Sequence, residues 1–140
     1  PDQIARYRGK LSGPLLDRID LSFEVGALSA EELQTAPTGE FSSEIRNRVV
    51  AAHQRQLARQ GVLNAHLDVT GIEAHCPLDN KAQTLLRQAI ERLGLSARAY
   101  HRTLKIARTI ADLAQAECIG AVHVAEAIQY RRGLPEEKHF

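Results

Sequence analysis

The stretch that most restricts the fold is DNKAQTLLRQAIERLGLSARAYHRTLKIARTIADLAQAE, residues 79 to 117. Leu85, Leu86, Ala89, Ile90 and Leu93 recur at helical spacing on one face, Asp79 stands where a helix cap belongs, and Gly94 closes the run. Ser96 then opens a longer helix, in which Leu104, Ala107, Ala111 and Ala114 form one seam and Ile106, Ile110 and Leu113 another. Much of that helix must be covered by neighbours. A further helical stretch, AVHVAEAIQYRR, precedes Gly133, and another, EIRNRVVAAHQRQLARQ, begins at Ser42 or Ser43 and ends at Gly61. Four main helices with short connections predict an antiparallel bundle.

Composition agrees with a helical core. Only 4% of the residues are aromatic and none is Trp, so the interior is built from Leu, Ile, Val and Ala, which suits close helix packing. With 44% hydrophobic and 25% charged residues, the 140-residue chain has the balance of a folded globular domain. The net charge of +1 gives no general case for a polyanion partner. Only four of the 18 basic residues are Lys (Lys10, Lys81, Lys105, Lys138), and Arg is preferred where planar pairing with carboxylate or phosphate matters, although codon usage enriches it too. Cys76 and Cys118 are far apart and form no CxxC, which reads as a pair of reduced thiols in a cytoplasmic protein. No apolar run of about 18 residues is available to span a membrane. The chain contains no Met, and it is read as an excised fragment whose functional motifs continue upstream.

The smaller elements are less sharply marked. In DLSFEV, Leu21, Phe23 and Val25 alternate with Ser22 and Glu24, the period of a half-buried strand. A lone strand is not stable, so this one either pairs with a missing partner or packs irregularly on the helices. Ser29 and Glu32 make a small capping box. Asp68 or Thr70 caps a short helix ending before Pro77. In the helix from Ser42, the apolar stripe is Ile45, Val49, Ala52 and Leu57, leaving Arg46, Arg48, Arg55 and Arg59 as a solvated face.

Two arginines are candidates for chemistry. Arg18 lies between Asp17 and Asp20 in SGPLLDRIDL, and on local grounds alone an ion pair with one of them accounts for it. Arg98 falls in the first turn after Ser96, where the helix dipole disfavours a cation but favours a phosphate, and Arg102 and Lys105 continue the same face. A solvated basic stripe is the plainer reading of those three. The histidines make no HExxH or similar array, so no metal is assigned; His75 and Cys76 read as an imidazole beside a packed thiol. No GxxxxGK(S/T) phosphate loop is present, and the fragment alone is expected to be inactive.

KLSGPLLDRIDLSFEV, SSEIRNRVVAAHQRQLARQ, LGLSARAYHRTLKIARTIADLAQAE and HVAEAIQYRR together resemble the C-terminal part of the magnesium-chelatase-like AAA+ ATPases, in the branch of the YifB/ComM competence proteins. The resemblance covers residues 4 to 132. It implies that residues 1–27 are the end of an α/β nucleotide-binding subdomain, including its last short strand, that 28–132 are a helical lid, and that 133–140 are a tail. It also implies that Arg18, in a motif of the form LLxR(F/I)DL, is the arginine finger that reaches a neighbouring subunit's γ-phosphate. Arg98 matches the sensor 2 arginine, which touches the γ-phosphate bound by its own subunit. His53 in AAHQRQ departs from the family's pattern, so no role is carried over to that arginine-rich helix.

The implied full-length protein is an ATPase using ATP and Mg²⁺, assembled from identical subunits in a hexameric ring, and acting on DNA in recombination or natural transformation. Two other readings stay open: a magnesium chelatase subunit that serves metal insertion into a porphyrin, and a helical regulatory or DNA-contacting module whose helix 44–60 tracks phosphates. The near-neutral charge weighs against the last.

Overall fold

Gly61 and Gly94 end their helices in the left-handed region, with φ of 75° and 56°, where glycine lacks the side-chain clash other residues meet. The computed structural model describes residues 18–23, 25–27, 29–35 and 39–132. Among them, helix α1 is Ala30–Thr35, α2 Ser42–Gln60, α3 Val69–His75, α4 Asn80–Leu93, α5 Ala97–Leu113 and α6 Ala121–Arg132, with a 3-10 turn at Asn64–His66. Three of the predicted caps are side-chain hydrogen bonds. Asp68 Oδ1 accepts from the Gly71 amide at 2.7 Å, Asp79 Oδ1 from Ala82 at 2.7 Å, and Ser96 Oγ from Ala99 at 3.1 Å.

Helix α5 is the centre of the fold. α2 and α6 pack against it, as do α3 and the 3-10 turn, while α4 packs on α6. Ala107 and Ala111 are fully buried in α5, and their small side chains let the neighbouring helices approach closely. Leu86, Leu104, Ile119, Val124, Ala127 and Ile128 fill the same cluster. Burying a side chain such as Leu86 contributes roughly 1.5–3 kcal/mol. Leu78 and Ile119 meet as an isolated parallel bridge, with the Asp79 amide donating to Ile119 O and the Ile119 amide to Pro77 O, both at 3.0 Å. α4 and α6 therefore start from one point, and α6 packs between α4 and α5 in the bundle that the spacing predicts.

Three details differ from the expectation. Residues 21–23 and 25 join no strand; the segment instead lies on the helices, its Ser22 amide donating to Tyr130 O of α6 at 2.8 Å. The half-burial expected of its apolar residues is not seen: Leu21, Phe23 and Val25 are 50%, 73% and 83% exposed, and the segment is held by backbone and charged groups. Of the predicted stripe of α2 only Ala52 is buried: Ile45, Val49 and Leu57 are 43%, 40% and 49% exposed, and Gln56 faces inward with Ala52. Only the second half of this helix meets the core, because residues 42–50 are all exposed. Finally, α5 ends at Leu113 rather than continuing to Glu117. Gln115 adopts a left-handed φ of 58°, its amide bonds Asp112 O, and the Ala116 amide bonds Ala111 O at 2.8 Å, a Schellman termination that leaves Ala114 exposed.

Of the expectations for the chain ends, those resting on residues 1–17, the side chain of Glu32 and the tail 133–140 lie outside the described residues.

Candidate functional site

The start of α5 brings the sequence candidates into relation. Ser96 caps the helix through Ala99, which is buried and fixes the first turn against the core. Arg98, between them, is exposed, and its guanidinium makes no hydrogen bond or ion pair with another described residue. A cation at a helix start is opposed by the dipole, and no described acidic residue pairs with Arg98 there.

One turn further, Arg102 reaches across to the extended segment. Its Nη1 donates to Arg18 O at 2.7 Å and to the carboxylate of Asp20. Asp20 is thus paired with Arg102 rather than with Arg18, and the local ion pair anticipated from the sequence does not form between those two. Arg18 is exposed and its own guanidinium has no partner among the described residues. Lys105 Nζ donates to Ala65 O at 3.0 Å. The basic stripe 98–102–105 is therefore not uniformly solvated: two members hold the fold and Arg98 stays open.

A second polar centre, which the sequence reading did not pick out, lies under α5. Arg108 is fully buried and Asp112 is 1% exposed. Arg59 of α2 grips Asp112 in a bidentate fork, at 2.6 Å and 2.9 Å, and Asn64 adds a bond to Asp112 Oδ2 at 2.9 Å. From its other side, Arg108 holds Asp112 at 3.0 Å and donates to Glu117 O and Ala116 O at 2.8 Å and 2.7 Å. Burial by itself pushes the Asp112 carboxyl up, but the bonds from Arg59 and Asn64 and the charges of Arg108 and Arg59 outweigh it and hold the group below its ordinary value. The signal was available in ARTIAD: an Arg and an Asp four residues apart share one helix face, here alongside Ala107 and Ala111. Gln56 completes the centre, its Oε1 accepting from the Asn64 amide at 2.9 Å.

These contacts also change the reading of the arginine-rich helix. Arg59 is tied to Asp112, Arg55 lies 3.7 Å from Glu117, and Arg48 pairs with Glu40 through two bonds. The face that the sequence marks as solvated has Arg48, Arg55 and Arg59 paired. Cys76 is buried and its thiol is pushed up to about 11, chiefly by desolvation, which fits the packed thiol expected there. No group of three or more His, Cys, Asp or Glu among the described residues could hold a metal ion. None of the described helices is long and apolar enough to cross a membrane. A shallow groove of about 210 Å³ between α4 and α6, bordered by Leu85, Arg92, Leu93 and Ile128, has no polar constellation suited to chemistry.

The mainly helical fold, with an extended segment fastened to α5 and α6, is that of the C-terminal lid of a chelatase-like AAA+ protein. The chain belongs to the magnesium chelatase subunit ChlI C-terminal family, whose model matches residues 39–131; the model for magnesium chelatase, subunit ChlI, matches residues 1–33. Among curated proteins, it is 48% identical over 132 residues to "Competence protein ComM" of Haemophilus influenzae, covering 94% of this chain and 26% of that protein. It is 46% identical over 136 residues to "Uncharacterized protein YifB" of Salmonella typhimurium and 45% identical to the protein of that name in Escherichia coli, with the same coverage. The chain thus spans about a quarter of the length of these relatives. The ComM/YifB branch indicated by the motifs is the branch in which these relatives lie.

Proposed function

We propose that this chain is the lid and arginine-finger part of a ring-forming ATPase, in which Arg98 touches the γ-phosphate bound by its own subunit and Arg18 the γ-phosphate bound by the next. The observation that carries the reading is the contrast between Arg102 and its neighbours. Arg102 is consumed in holding the Arg18 backbone, while Arg18 and Arg98 are exposed and have no partner among the described residues. Open guanidinium forks fit a polyphosphate, whose oxygens accept paired N–H bonds. The described residues include no set suited to Mg²⁺, so no step is assigned to that ion here. In this proposal the phosphate loop and the acidic residues for Mg²⁺ belong to the rest of the full-length protein, and the assembly is a hexamer.

Arg18 would place positive charge against the phosphoryl group as its oxygens gain charge, an effect worth roughly 10³ to 10⁵ in rate in GTPases. Arg98 would bind the same kind of phosphate from the lid and make lid position depend on the nucleotide. The likeness to a protein named for competence supports DNA remodelling during transformation or recombination as the work coupled to hydrolysis. Insertion of Mg²⁺ into a porphyrin is the second reading, favoured by the description of the matching family. DNA-stimulated hydrolysis against porphyrin-stimulated hydrolysis separates the two.

In the full-length protein, Arg18→Ala should lower the turnover of ATP by roughly 10³-fold or more while nucleotide binding is retained. Arg98→Ala should also impair hydrolysis and weaken ATP binding. Mixing Arg18→Ala subunits with subunits carrying a broken phosphate loop should restore activity, because each type supplies what the other lacks. Absence of any recovery in mixed rings would count against a finger acting between subunits.

A further inference from the structure

We infer that Arg102 is a positioning residue that latches the segment bearing Arg18 to the helix bearing Arg98, so that a subunit's own nucleotide site and the finger it offers to its neighbour move together. The inference rests on the reading of Arg18 and Arg98 given above and extends it to how adjacent sites communicate.

Three contacts carry it. Arg102 donates to Arg18 O at 2.7 Å and pairs with the Asp20 carboxylate, two acceptors on one short segment. Two residues on, the Ser22 amide donates to Tyr130 O at 2.8 Å, which fastens the same segment to α6. Arg102 lies one turn beyond Arg98 on α5, so both cations share one rigid helical frame. The side chain of Arg102 is 27% exposed. An ordinary exposed ion pair at such a place contributes little to stability. This one differs in its second acceptor, the backbone oxygen of the residue whose side chain is left open. Holding that oxygen fixes where the Arg18 side chain starts, and a displacement of about 1 Å at a reacting centre can lower a rate by roughly 10²-fold.

The latch makes a specific demand on mixed rings. In an Arg102→Ala subunit the phosphate loop and Arg98 are intact, and the defect lies in the finger presented to the neighbour. Full-length Arg102→Ala should therefore show turnover reduced roughly 10- to 100-fold, with the KM for ATP changed far less and the Hill coefficient moved toward one. Mixing it with subunits whose phosphate loop is broken should restore hydrolysis, as for Arg18→Ala, because the partner then supplies a latched finger. A merely structural defect in the subunit's own lid would not be rescued in this way, so loss of activity without rescue overturns the proposal. Unchanged turnover and Hill coefficient in Arg102→Ala also overturn it. If Arg18→Ala itself hydrolyses ATP normally, the finger reading fails first. If Arg18→Ala is inactive and rescued in mixed rings while Arg102→Ala behaves as wild type, the latch alone is wrong.

Discussion

Asp112 is a single carboxylate shared by two arginines, one of them fully buried. Removing it strands Arg108 in the interior, and breaking a buried pair from one side costs roughly 3–5 kcal/mol. Asp112→Asn should thus lose at least about 3 kcal/mol of unfolding free energy at neutral pH, measured by urea denaturation. The folded carboxyl sits below its ordinary value of 3.8. Its contribution is therefore complete above that value and is lost as pH falls through the folded pKa. The stability gap between wild type and Asp112→Asn should narrow in acid for this reason. A gap of the same size at neutral pH and at about pH 3 would show that ionised Asp112 is not its source.

At the scale of the helices, the caps are local chemistry and could be read from single residues. Asp68, Asp79 and Ser96 each accept from the amide three residues on, and Gly61 and Gly94 each end a helix. Ser96→Ala should lower stability by about 1 kcal/mol, and because the cap sets the turn carrying Arg98 it should weaken ATP binding by the full-length protein as well. Stability that falls with no change in nucleotide affinity would detach the cap from the site. The inward face of α2 was not legible in the same way. Its apolar spacing indicates Ile45, Val49, Ala52 and Leu57, of which only Ala52 is buried, because the helix is turned so that Gln56 and Arg59 meet Asn64 and Asp112, the last 53 residues from Arg59. Apolar periodicity does not register a polar partner so distant in sequence. The position of Arg98 was legible from Ser96, whereas the role of Arg102 depends on Arg18 O and Asp20, more than 80 residues earlier.

For the molecule as a whole, the net charge of +1 and the pairing of Arg48, Arg55 and Arg59 leave α2 little free charge to offer a nucleic acid. Arg46→Ala combined with Arg48→Ala in the full-length protein should change the salt dependence of single-stranded DNA binding by less than the slope of about 1 that one phosphate contact contributes. A larger drop, read from a titration of affinity against salt, would put α2 on the DNA. The parallel bridge between Leu78 and Ile119 has a different consequence at this scale. α4 has 14 residues and leads away from that bridge, so at 1.5 Å per residue Arg98 lies at the far end of an arm about 21 Å long. A tilt of about 10° at the bridge carries that end through roughly 4 Å, longer than a hydrogen bond. If Arg98 meets a phosphate as proposed, an arm of that length turns a small tilt at its base into a change in whether the contact is made.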